Sequence, residues 1–162
     1  MKRQTAFIAL VLAASLFALS STVLARPQNY VAVLSGGEEV PAVDTTARGQ
    51  AHFQLSHDGT ELRYRLIVAN IEDVTMAHIH IAPPGANGPV VVWLYPDAPP
   101  PQPIPGRTNG VLATGVITAD NLVGDLAGEG LDALIAHFED DNAYVNVHTD
   151  AFPAGEVRGQ IR

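Results

Sequence analysis

Apolar and polar residues alternate with a period of two along two neighbouring stretches of the chain, residues 49–56 and 61–68. This period is typical of a strand with one buried face. The pair Asp58-Gly59, a favoured hairpin turn, lies between the two stretches. The pattern therefore predicts a β-hairpin. Its inward residues are Ala51, Phe53 and Leu55 on the first strand, and Leu62, Tyr64, Leu66 and Val68 on the second.

Shorter runs of the same kind, separated by glycines and prolines, predict strands near 30–34, 74–81, 89–94, 110–117, 143–149 and 155–162. Helical spacing of Leu131, Leu134, Ile135 and Phe138 predicts one amphipathic helix over 130–139. Thr118 is placed to cap a second, shorter helix that ends at Val123. We therefore expect an all-β fold, a Greek-key β-sandwich or barrel with one or two short helices.

Residues 96–105 contain six of the twelve prolines. Proline cannot donate to a strand ladder, so this stretch is not a central strand. We interpret it as an extended surface loop that connects two strands, and docking of a partner is the alternative.

The first 25 residues differ from the rest. Lys2 and Arg3 precede an almost wholly apolar run over 6–19, and small residues follow up to Ala25. This order is typical of a secretory signal peptide, and the run is short for a membrane span. We expect a signal peptide over 1–25 and a single domain over 26–162, in a protein that is secreted or periplasmic. An uncleaved amino-terminal anchor is the alternative.

Charge and cysteine content exclude several classes of function. Without residues 1–25 the chain has 7 basic and 17 acidic residues, and its only lysine, Lys2, is lost. Such a surface is a poor partner for nucleic acid or for anionic lipid. The absence of cysteine excludes disulfides, thiolate nucleophiles and thiolate metal ligands.

The histidines carry the most specific chemistry in the sequence. His78 and His80 are two residues apart in a predicted strand and share the face opposite Ile79 and Ile81. His148 lies opposite the apolar face of another predicted strand. Together they form a candidate three-imidazole site for copper, zinc or nickel. Ordinary half-exposed strand histidines that make hydrogen bonds are the alternative, because the sequence does not show that the two strands are neighbours.

The remaining polar groups have simpler interpretations. His52 and His57 lie on and beside the polar face of the hairpin, and we expect them to be solvated. Glu156 and Arg158 share one face of the last strand, and we expect an ion pair between them. Contact with an anion near the histidine cluster is the alternative.

Five stretches resemble the CHRD domain, which is repeated in chordin and occurs singly in many bacterial exported proteins. These are residues 34–41, residues 77–80 together with 87–92, residues 144–149, and residues 153–161, and the resemblance covers about 29–162. In chordin the family name is associated with an extracellular inhibitor that sequesters bone morphogenetic proteins. No settled activity comes with the name for the single-domain bacterial members.

The CHRD family is also distantly similar to Cu/Zn superoxide dismutase, a Greek-key barrel. By order and motif, His78, His80 and His148 resemble three copper ligands of that enzyme, and Arg158 resembles its superoxide-guiding arginine. The chain departs from the enzyme in having no histidine over 81–94 and no cysteine. The zinc half of the enzyme's site and its bridging imidazolate are therefore not expected.

These observations predict an exported CHRD-domain protein that binds copper through His78, His80 and His148, for metal handling or redox buffering. A non-catalytic extracellular recognition module, with an extracellular or envelope protein as partner, is the first alternative. A copper-only superoxide dismutase is the second. The sequence does not decide whether the protein is an enzyme, although the missing zinc half makes a binding role the better expectation.

Overall fold

The computed structural model describes residues 28–162, so the predicted signal peptide lies outside the described residues. Strands dominate the described part of the chain, with one α-helix between the fifth and sixth strands. In chain order the elements are β1 (Asn29–Ser35), β2 (Arg48–Leu55), β3 (Leu62–His80), β4 (Val90–Tyr95), β5 (Ile104–Ile117), α1 (Leu131–Glu139), β6 (Tyr144–Thr149) and β7 (Val157–Gln160).

Five of these strands form a closed antiparallel barrel. The order β2-β1-β7-β6-β3 closes on itself because β3 also pairs with β2, in the predicted hairpin. After β3 the chain leaves the barrel, forms β4 and β5, which both pair with β3, and returns through α1 to β6. The predicted fold class, an all-β barrel with short helices, is confirmed.

Alternating side chains of the strands fill the barrel, and α1 covers part of the core. Phe138 of α1 packs edge-on against Tyr30 of β1, with ring centroids 5.2 Å apart, and lies 5.5 Å from Phe53 of β2. The predicted inward residues of the hairpin are buried except Leu55, which is half-buried. Burial of this apolar surface provides most of the favourable free energy of folding.

The long strand β3 differs from the prediction of two separate strands at 61–68 and 74–81. Asn70 and Asp73 adopt positive φ angles of 55° and 50°, and the register with β5 shifts around them. These bulges bend the chain without ending the strand. A further shift between Val74 and Met76 moves Val74 into the core, although simple alternation places it on the histidine face.

The other predicted elements are found with adjusted bounds. The predicted helix over 130–139 corresponds to α1, whereas the short helix after Thr118 is replaced by two 3-10 turns, Ala119–Asn121 and Gly124–Leu126. The proline-rich stretch begins at the buried Pro96 and is an exposed connection over residues 97–103, and its last two residues begin β5. No helix within residues 28–162 is long and apolar enough to cross a membrane.

Candidate metal centre

Strands β3 and β6 are neighbours, and their pairing brings the three candidate histidines together. Met76 of β3 lies opposite His148 of β6, so His148 is next to the strand that carries His78 and His80. The core residues Val145 and Val147 occupy the other face of β6. All three histidines therefore project from the same side of the barrel wall, away from the core.

Three loops cover this outer face, so the histidines are buried although they lie outside the barrel. Segments 81–89 and 150–156 contribute backbone contacts to the histidines. Segment 36–47 is joined to segment 81–89, where Nδ2 of Asn87 donates to the carbonyl oxygen of Val40. His78, His80 and His148 have exposed fractions of 2%, 8% and 5%. This cluster is thus shielded from bulk water, unlike the half-exposed histidines of the alternative interpretation.

The distances between the ring nitrogens are close to those of a coordination sphere. Nδ1 of His78 lies 3.2 Å from Nε2 of His148. One nitrogen from each of the three rings lies within 4.8 Å of those of the other two. Two ligands at about 2.05 Å from a tetrahedral ion are roughly 3.3 Å apart. A small inward movement of His80 is then sufficient to complete a three-nitrogen site.

Hydrogen bonds to backbone carbonyls fix two of the rings. Nδ1–H of His80 donates to the carbonyl oxygen of Gly88 at 2.9 Å, and Nδ1–H of His148 donates to that of Pro153 at 3.0 Å. Each of these bonds leaves the lone pair of Nε2 directed into the cluster. Carbonyl acceptors of this kind orient histidine ligands in metal sites.

His78 faces the other two histidines through Nδ1, whereas His148 faces His78 through Nε2. Without a metal, Nδ1–H of His78 donates to the free lone pair of His148 Nε2. The Trp93 ring of β4 contacts His78 edge-on, with centroids 4.2 Å apart and an angle of 84°. Coordination of a metal through Nδ1 of His78 would require the other tautomer of this ring, with the hydrogen on Nε2.

Burial lowers the pKa of all three imidazoles, since a buried site disfavours imidazolium. For His78 the pKa falls to about 3, with the nearby rings of His148 and His80 as additional causes. For His148 it falls to about 4, although the hydrogen bond to Pro153 acts in the opposite direction. Burial also lowers the pKa of His80, and the charge of Arg158 contributes. The rings are therefore neutral at pH 7, as metal binding requires.

The pairing of the strands places one cation, Arg158, in the same row of residues as His78. It lies beside Asn146, which in turn lies beside His78, in one row across β7, β6 and β3. Nη1 of Arg158 donates to Oδ1 of Asn87 at 3.2 Å. Its guanidinium carbon is 3.5 Å from the ring centroid of Tyr144, and that ring stacks on His80 at 4.9 Å and 10°.

Buried polar atoms without a hydrogen-bond partner are concentrated in this region. Such atoms are uncommon in native proteins and often mark a functional site. Within residues 28–162, all of them lie on the outer face or in the loop at 36–47: Glu39 Oε1, His78 Nε2, His80 Nε2, Asn146 Oδ1 and Arg158 Nη2. The outer face is therefore prepared for polar contacts that the chain alone does not supply.

The other sequence expectations have mixed outcomes. His52 and His57 are exposed, as predicted. The predicted ion pair between Glu156 and Arg158 is wrong, because the Glu156 carboxylate accepts hydrogen bonds from the hydroxyls of Thr45 and Thr149 instead. Residues of the site that sequence reasoning missed are Tyr144, Trp93 and the carbonyls of Gly88 and Pro153. Among these only Tyr144 had a signal, since it shares the strand face of His148.

The fold and the cluster together define a class of protein: a small β-barrel with a buried three-histidine group on its outer face. Comparison with protein families gives a match to the CHRD domain over residues 30–161, so the chain belongs to the CHRD domain family. No curated protein and no solved structure gives a match. The resemblance to Cu/Zn superoxide dismutase rests on the sequence motifs alone.

Proposed function

We propose that this CHRD-domain protein binds one copper ion through Nδ1 of His78, Nε2 of His80 and Nε2 of His148. The proposed role is copper handling or redox buffering outside the cytoplasm, since the sequence predicts export to the periplasm or the medium. The observation that carries the proposal is the convergence of three buried, neutral imidazoles within 4.8 Å.

The unpartnered Nε2 of His80 favours a ligand role over a structural one. A buried polar group without a partner costs about 1–3 kcal/mol. A purely structural histidine avoids this cost through a second hydrogen bond, whereas Nε2 of His80 makes none with any of the residues that the structure describes. A metal ion satisfies this nitrogen and replaces the single hydrogen bond between His78 and His148.

The donor set supports copper. The cluster consists of histidine nitrogens only, and the chain has no cysteine. Among divalent first-row ions, copper binds nitrogen sites most tightly, with zinc and nickel weaker. Among divalent ions, copper is therefore the one for which a nitrogen-only site gives the highest affinity.

The geometry favours binding over rapid dismutation. The three histidines are the single group within residues 28–162 that is arranged to hold a metal. A second ion joined through a bridging imidazolate therefore has no ligand set in the described chain. A copper-only dismutase remains a lesser alternative, tested by comparing superoxide removal with that of free copper.

Copper is expected to stabilise the folded domain, because the site exists only in the folded state. At a free copper concentration 100 times Kd, the expected gain is about 2.7 kcal/mol in the free energy of unfolding. The measurement is thermal unfolding of residues 26–162 with copper(I) under anaerobic conditions and with copper(II) in air, together with metal analysis after dialysis. One copper per chain is the expected stoichiometry. An unchanged melting temperature with both ions contradicts the proposal.

The exposed segment at 97–103 supports the second candidate, a recognition module without a metal. Exposed proline-rich segments are common docking elements for other proteins. Deletion of this segment distinguishes the two functions. Loss of an envelope or secreted partner, with unaffected copper binding and no effect of chelator on the partner, is the result that favours recognition.

A further inference from the structure

Among residues 28–162, Arg158 is a buried cation that forms no salt bridge. Its exposed fraction is 2%, and its side chain makes one hydrogen bond within the described residues, to the neutral Asn87. The salt bridges of residues 28–162 use Arg63, Arg107 and Arg162 instead. Burial of a charge that is not held in a salt bridge is costly, so a cation in this position needs an explanation beyond stability.

The position of Arg158 connects it directly to the histidine cluster. Its guanidinium lies on one side of Tyr144 at 3.5 Å, and His80 stacks on this ring at 4.9 Å. The guanidinium carbon is therefore no more than 8.4 Å from the His80 ring centroid. The medium between the two groups is buried aromatic side chain, which screens charge far less than water does.

We infer that Arg158 makes the three-histidine site selective for cuprous copper over divalent ions. This inference rests on the proposed copper site and concerns the oxidation state of the ion. The ligands are neutral rings and the cluster contains no carboxylate, so the complex carries the full charge of the bound ion. A divalent ion then places one more positive charge near Arg158 than a cuprous ion does.

The size of this effect follows from Coulomb's law. With an effective dielectric constant of about 20 and a separation near 10 Å, one additional charge changes an affinity by roughly tenfold. The number of ligands acts in the same direction. Cuprous copper accepts three nitrogen ligands, whereas cupric copper prefers a four-coordinate square or tetragonal arrangement.

Glu39 is the acidic group that opposes Arg158. It is buried, and it interacts electrostatically with Arg158 without forming a salt bridge within the described residues. Burial raises its pKa to about 7, with Arg158 acting in the opposite direction. At pH 8 the carboxylate is ionised and weakens the field of the arginine. Removal of the Glu39 charge and removal of the Arg158 charge therefore shift the copper preference in opposite directions.

The test is the ratio of the cuprous and cupric dissociation constants, measured at pH 8 as the reduction potential of the copper-loaded chain. Arg158→Gln is expected to lower the cuprous preference about tenfold, which is about 59 mV for a one-electron couple. Arg158→Lys retains the positive charge, so it is expected to keep the cuprous preference of the wild-type chain. The matched control is Arg162→Gln, because Arg162 is exposed and paired with Asp141.

Glu39→Gln keeps the test decisive if Arg158→Gln does not fold. This variant is expected to raise the potential, opposite to Arg158→Gln. If neither Arg158→Gln nor Glu39→Gln changes the reduction potential more than Arg162→Gln does, the inference is overturned. The proposed copper site is not affected by this result. Tighter binding of cupric than of cuprous copper by the wild-type chain also overturns it. Failure of the wild-type chain to bind either ion overturns the proposed function and this inference with it.

Discussion

Replacement of His80 by alanine is expected to lower the copper affinity by at least about 100-fold and to leave the barrel folded. Loss of a residue that only orients a ligand typically costs 10–100-fold in metal affinity. His80 is proposed as a ligand itself and supplies one of three nitrogens, so the loss is expected to exceed that range. The measurement is competition with a chelator of known affinity, with copper(I) and copper(II) separately.

His80 is the best of the three histidines for this experiment. Its Nε2 has no hydrogen-bond partner within residues 28–162, and its Nδ1–H donates to the carbonyl of Gly88, a half-buried residue. Water is expected to reach this carbonyl after the substitution. Substitution of His148 instead removes the hydrogen-bond partner of His78. The stability of His80→Ala is therefore expected to be closer to that of the metal-free wild-type chain than the stability of a His148 variant is.

The matched control is His52→Ala, which removes an exposed histidine from β2. This variant is expected to bind copper as the wild-type chain does. Equal affinities of His80→Ala and His52→Ala contradict the copper site as proposed. They then favour the interpretation of the three histidines as structural hydrogen-bonding residues.

The sequence predicts that His78 and His80 share one strand face. It does not predict that His148 lies close to them. A period of two places His78 and His80 on one face of any regular strand. His148 lies near the other two histidines because β3 pairs with β6, and these strands are separated in the chain by β4, β5 and α1. No local pattern encodes a pairing of that sequence separation, since it is determined by how the whole barrel closes.

The bulges and the covering loops were also beyond sequence reasoning. Asn70 and Asp73 are residue types that tolerate positive φ, yet they equally favour turns, so two strands were predicted where β3 is continuous. The expected pair of Glu156 and Arg158 fails for a similar reason. Same-face neighbours on a strand are roughly 6.5–7 Å apart. Groups from adjacent elements, such as Thr45 and Asn87, approach them more closely.

The metal-free domain is expected to lose several kcal/mol of stability as the pH falls from about 6.5 to 4. The folded-state pKa of His78 is about 3 and that of His148 is about 4, both well below the value of about 6.5 for an unfolded histidine. Below pH 6.5 the unfolded chain therefore binds protons that the folded chain does not. For His78 the difference at pH 4 corresponds to about 3 kcal/mol.

Glu39 acts in the opposite direction over a similar range. Its folded pKa of about 7 lies above its ordinary value of 4.5, so between these values the folded chain holds a proton that the unfolded chain has released. Stability from this group increases as the pH falls through that window. Because the pKa of each of the three histidines is lowered and Glu39 is a single group, the histidines determine the net sign.

Urea unfolding between pH 7.5 and 4, with chelator present, separates these contributions. His78→Phe has no titrating ring and is expected to lose about 3 kcal/mol less than the wild-type chain between pH 6.5 and 4. His52→Ala, a change at an exposed site, is expected to keep the wild-type pH dependence, and Glu39→Gln is expected to steepen it. If His78→Phe and the wild-type chain lose equal stability in acid, His78 takes up a proton as readily in the folded as in the unfolded chain. The cluster is then not the dry, neutral ligand set on which the copper proposal depends.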